Sequence, residues 1–126
     1  MKAIQLILAS VILLAVFATS CDYKYITPDT GDPIDPEEPI SFSAEVEPIW
    51  TTQNCTNCHN GSGLFSLKQG EAYQSLMNNN LLDLDNSENS KIVTVPGSSG
   101  LHSSYTYVGN QKLIITTWID QGAENN

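Results

Sequence analysis

Apolar residues along this chain come in short clusters, apart from one long run at the start. Ala3 to Ala18 is broken only by Gln5 and Ser10 and follows Lys2. A basic start, an apolar stretch of this length and a small-residue end predict an export signal over residues 1–20. As a lone membrane span the run is marginal in length. Residues 21–41 then carry Pro28, Pro33, Pro36 and Pro39, with few large apolar residues after Ile26. Such a stretch builds no core and predicts an extended tether, about 60 Å at most at roughly 3.1 Å per residue.

Helical periodicity begins near Phe42, and residues 42–126 are expected to form one small all-α domain. Ser43 is a candidate N-cap, with Glu45 and Glu47 suited to a positive helix end. Pro48 is tolerated in a first turn, so the helix proper is expected to start there. Asn60 to Gly63 form a turn cluster. Glu71 to Asn78 predicts a short helix with Ala72, Tyr73, Leu76 and Met77 on one face, ended by three asparagines. Asn86 or Ser87 caps a further helical turn containing Lys91 and Ile92, and Val95 to Gly100 reads as a loop. Asn110 to Gln121 predicts the strongest helix. Its expected stripe is Leu113, Ile114, Trp118 and Ile119, with Ile115 at the margin and Gly122 as the C′ residue.

Charge sharpens this picture. Net charge is −9, there is no arginine, and eight of the fourteen acidic residues fall between Asp22 and Glu47. A surface of this sign repels phosphate backbones, which excludes nucleic acid as a partner. It suits partners with basic docking surfaces. The acidic residues, Glu47 among them, read as solvated surface.

Three cysteines carry the chemistry. Ala18-Thr19-Ser20-Cys21 runs small residues into a cysteine, a bacterial lipobox pattern that makes Cys21 the lipidated first residue of the mature chain. Two or more acyl chains anchor stably, at about 0.8 kcal/mol for each buried CH₂. The expected location is extracytoplasmic, lipid-anchored to a bacterial membrane on its periplasmic side or at the cell surface. Cys55-Thr56-Asn57-Cys58-His59 reads C-x-x-C-H, the attachment signature of one covalent haem c. Two intervening residues let both sulfurs reach the two vinyl groups of one porphyrin, and the following histidine is held beneath the iron as an axial ligand. Other readings of the pair are a disulfide, a thioredoxin-like redox couple, or a zinc site using Cys55, Cys58, His59 and His102. No βαβ pattern accompanies the pair, and two adjacent ligands in Cys58-His59 make tetrahedral chelation awkward.

Several further stretches resemble small c-type cytochromes of the planctomycete type. They are Ser41-Phe42-Ser43 leading to Val46-Glu47-Pro48-Ile49, the short helix with Tyr73 and Leu76, and Trp118-Ile119-Asp120-Gln121-Gly122-Ala123. Asn86 to Ser90 is similar to that family's Pro-x-x-Ser segment without the proline. The resemblance implies a cytochrome c-like fold wrapped around the haem, with terminal helices crossing over one haem edge, and an electron carrier rather than an enzyme. The chain departs from that family in having no methionine shortly before the last helix. Met77 and His102 are then the candidates for the other axial position. His102 is preferred, because a distal ligand should arrive on a loop just ahead of the final helix. If that position is open instead, the alternative is a haem enzyme or sensor for peroxide or gas. The zinc set above would make a binding module.

Overall fold

The computed structural model describes residues 34, 35 and 37–126. The export signal, Cys21 and most of the 21–41 tether lie outside the described residues. Those described form a small all-α domain with four α-helices and no strand: α1 (Glu47–Thr52), α2 (Ala72–Asn78), α3 (Lys91–Thr94) and α4 (Gln111–Asp120). Short 3₁₀ turns at Cys55–Asn57, Ser87–Asn89 and Gly100–His102 lie between them.

Helical structure begins earlier than Pro48. One π turn, Phe42–Val46, runs straight into α1. Pro48 has no N–H for the Ala44 carbonyl, and its ring needs room over that carbonyl; a turn wound wider supplies it. The cap is Ser41 rather than Ser43. Ser41 Oγ accepts from the Ala44 N–H at 3.3 Å, and the Ser41 N–H donates to Glu45 Oε2 at 2.7 Å. This is a reciprocal capping box, widened by one residue to match the wide turn. Ser43 instead faces the other end of the chain, its hydroxyl donating to the Asn126 carbonyl at 2.8 Å.

The continuous helical stretch buries Phe42, Val46, Ile49 and Trp50 on one side. Phe42 is the hub: its ring centroid lies 5.0 Å from Trp118, 5.4 Å from Tyr73 and 6.0 Å from Trp50. These tilted and edge-on approaches are those the ring quadrupoles favour. The first and last helical segments therefore meet directly.

α4 is rotated from the expected orientation. Ile115, Trp118 and Ile119 are fully buried, while Leu113 is 53% exposed. On a 3.6-residue helix, Leu113 falls opposite the centre of the 114, 115, 118 and 119 arc. Gly122, at φ 103°, ends α4 as predicted. Its N–H donates to the Ile119 carbonyl and the Ala123 N–H to the Trp118 carbonyl, both at 2.9 Å, which is the Schellman pair. Ala123 is buried against the core as the accompanying apolar contact.

Glu47 corrects the expectation of a solvated carboxylate. It is 4% exposed, and Oε1 accepts the Gly70 N–H at 2.7 Å. It pins the loop before α2 to the start of α1.

Candidate functional site

α1 ends at Gln53, and Asn54 takes a left-handed conformation at φ 60°. Asparagine is among the few residues that tolerate this region. The reversal starts a new turn at Cys55, in which the Cys58 and His59 N–H groups both donate to the Cys55 carbonyl, at 3.2 and 2.9 Å. Positions i, i+3 and i+4 of one turn share a face. Cys55, Cys58 and His59 accordingly line one cavity of about 540 Å³, within the range typical of small-molecule sites.

The cavity has a buried floor and an open apolar rim. Trp50, Leu67, Leu81 and Ile92 make the floor. Leu64, Val95, Leu101 and Tyr105 line it too, although each is exposed, Leu101 at 90%. Half of the large apolar side chains exposed among the described residues thus gather around one opening. Apolar side chains clustered around a concave site mark a place where a ligand covers them.

His59 is held from both sides. Its carbonyl accepts the Leu67 N–H at 2.8 Å, closing the glycine-containing loop after it. That loop stacks the Phe65 ring on the imidazole at 4.2 Å between centroids. Burial is the main influence lowering the His59 pKa, and the nearby His102 lowers it further, while the Phe65 backbone opposes both. The ring is therefore held in its neutral, metal-binding form near neutral pH. His59 Nδ1 is buried with no hydrogen-bond partner; the Phe65 backbone favours the protonated ring without closing a bond of normal geometry.

His102 reaches the same cavity from the far end of the sequence. Its carbonyl accepts the Gly97 and Tyr105 N–H groups, both at 3.0 Å, which fixes the loop. Gly97 is required there: its φ is 79°, and a Cβ would stand 3.0 Å from the Thr106 methyl. The His102 ring centroid lies 6.1 Å from that of His59, with the planes 21° apart. Two imidazoles on opposite sides of one metal give a similar separation, about 6 Å, from two bonds of about 2.0–2.1 Å plus the two ring radii. Met77 is elsewhere. It is 39% exposed on α2 and does not line the cavity.

The cysteines are free thiols, Cys58 exposed and Cys55 half-buried. Burial pushes the Cys55 thiol up; its backbone hydrogen bond offsets part of this and the Cys58 charge adds to it. A thioredoxin-like couple needs a depressed thiol pKa, the opposite of what Cys55 shows. Among the described residues no group of three or more His, Cys, Asp or Glu side chains is placed to hold a metal ion. Cys55, Cys58, His59 and His102 share the cavity without closing as a tetrahedral set.

Tyr107, to which sequence reasoning assigned no role, braces the wall. Its hydroxyl accepts from Trp50 Nε1 at 3.2 Å and donates to the Ile92 carbonyl at 2.7 Å. Burial pushes its phenol far above the ordinary value of 10; the Trp50 hydrogen bond lowers it in part and the Cys55 charge raises it. A phenol raised in the folded state adds stability that is full below the unfolded pKa and lost as pH climbs above it toward the folded one. Tyr107→Phe is expected to cost about 1–3 kcal/mol near neutral pH, leaving Trp50 without its partner. It should also flatten the loss of stability as pH climbs above about 10. Urea unfolding followed by far-UV circular dichroism checks both; an equally steep alkaline loss in the variant contradicts the assignment.

No family model, no curated protein and no solved structure matches this chain. The assignment of function therefore rests on the residues and their placement.

Proposed function

We propose that this domain is a monohaem cytochrome c that carries single electrons between extracytoplasmic partner proteins, held at a bacterial membrane by lipidated Cys21. The observation that carries the reading is the C-x-x-C-H turn opening onto an apolar cavity with the His102 ring facing His59 at 6.1 Å. The residues present fit a haem: two free thiols, a neutral imidazole with an orphaned nitrogen, a second imidazole at metal-bridging separation, and apolar walls.

Each part of the wall has a task. The Cys55 and Cys58 thiols would hold the haem covalently. Bound haem supplies an iron that gains and loses one electron. His59 and His102 would hold the iron between them, and two protein ligands would favour a carrier over an enzyme or sensor for peroxide or gas. The floor residues exclude water and lower the local dielectric, both of which tune the potential. The resemblance to small planctomycete-type cytochromes agrees with this arrangement. Acidic surface suits basic redox partners.

Protein made alongside a cytochrome maturation system is expected to carry one haem per chain that survives acid-acetone extraction and gives a pyridine haemochrome. Cys55→Ala combined with Cys58→Ala should lose all of it. A colourless wild type, or one loaded with zinc instead, overturns the proposal.

A further inference from the structure

We propose that Lys91 is the counter-charge for a carboxylate of the bound porphyrin, an inference that rests on the haem reading above. Lys91 opens α3 and is the only lysine or carboxylate among the residues lining the cavity. The other two lysines of the described residues are committed: Lys112 pairs with Glu88 at 2.6 Å and Lys68 lies 4.0 Å from Glu71. Lys91 has no such pair. Of the carboxylates near it in sequence, Glu88 pairs with Lys112, Asp83 Oδ1 accepts the Asp85 and Asn86 N–H groups at 3.1 and 3.0 Å, and none forms an ion pair with Lys91.

Of the other polar groups of the wall, Asn54 and Tyr105 are uncharged. Tyr107 and Trp50 are hydrogen-bonded to each other, and Tyr107 also to the Ile92 carbonyl. The cysteines and histidines have their own tasks in the proposed site. A porphyrin of this kind brings two carboxylates, on the side of the ring away from the vinyl groups that the cysteines engage. Bringing an anion to a chain with net charge −9 is unfavourable unless a cation waits at the site. Lys91 is the cation in place. It can hold a carboxylate through its ammonium donors while its stem covers apolar rim.

The pairing has two consequences that a merely solvated lysine lacks. A positive charge beside the porphyrin favours the reduced iron, so Lys91→Gln should lower the midpoint potential. Lys91→Glu should lower it about twice as far, because the charge changes by two rather than one. The carboxylate bending band in the resonance Raman spectrum should move in Lys91→Gln and return in Lys91→Arg, which restores the charge. Lys112→Gln removes the same formal charge away from the cavity wall and should leave both readouts in place. A red Lys91→Gln holoprotein whose band is unmoved, or whose potential changes no more than that of Lys112→Gln, overturns this inference and leaves the cytochrome reading standing. A colourless wild-type product overturns both.

Discussion

Holoprotein carrying His102→Ala is expected to change from a low-spin to a high-spin iron and to bind carbon monoxide when reduced, while Met77→Leu leaves the spectrum as it was. His102 lines the cavity with its ring 6.1 Å from His59, and its loop is fixed by two N–H groups on its own carbonyl. Met77 lies outside the cavity wall and is 39% exposed on α2. Its neighbours Leu76 and Ala72 are buried in the core and hold α2 in place. The effect of His102→Ala is therefore all or none at the iron, not a graded shift. Because methionine ligation raises a haem potential relative to histidine, the wild type should also sit at the low end for monohaem carriers. Optical and electron paramagnetic resonance spectra of the two variants decide the point. Conversion in Met77→Leu alone would mean that the wrong ligand has been chosen.

The C-x-x-C-H turn was legible because its meaning is local: spacing alone puts two sulfurs and a ring on one face. The end of α4 was legible for the same reason, since Gly122 is read from one residue's freedom at positive φ. What escaped reading depends on partners distant in sequence. Glu47 looks like a solvated first-turn carboxylate until the Gly70 N–H, 23 residues later, is brought against it. Ser43 looks like a cap until Asn126 arrives to take its hydroxyl. Nothing in sequence spacing says that Lys91 and Tyr107 join the expected His102 around one cavity. The faint signal was compositional: lysines are few in an acidic, arginine-free chain, and among the described residues Lys91 is the one without an ion pair. The expected stripe on α4 held at Ile114, Trp118 and Ile119 but exchanged Leu113 for Ile115, because three consecutive apolar positions leave the phase of the helix open. Packing against Phe42 chose it.

That choice of phase makes Phe42 and Leu113 a decisive pair. Phe42→Ala is expected to cost about 3–5 kcal/mol, since a fully buried aromatic leaves a cavity that its neighbours fill only in part. Trp50, Tyr73 and Trp118 all lose a ring partner at once, and the first helical turn loses its hold on α4. A domain of about 85 residues has roughly 4–13 kcal/mol of stability to draw on, at about 0.05–0.15 kcal/mol per residue. The loss is thus a large fraction of the whole, and at about 4–8 °C per kcal/mol it should lower the melting temperature by more than about 12 °C. Leu113→Ala removes a larger apolar side chain than many core changes do, yet it should stay within about 0.5 kcal/mol of wild type, because that side chain is 53% exposed on the outer face of α4. Thermal melts by far-UV circular dichroism, run on holoprotein of equal haem content, measure both. If Leu113→Ala proves as damaging as Phe42→Ala, α4 is turned the other way. Its Ile115, Trp118 and Ile119 face could not then be what closes the core beside the cavity.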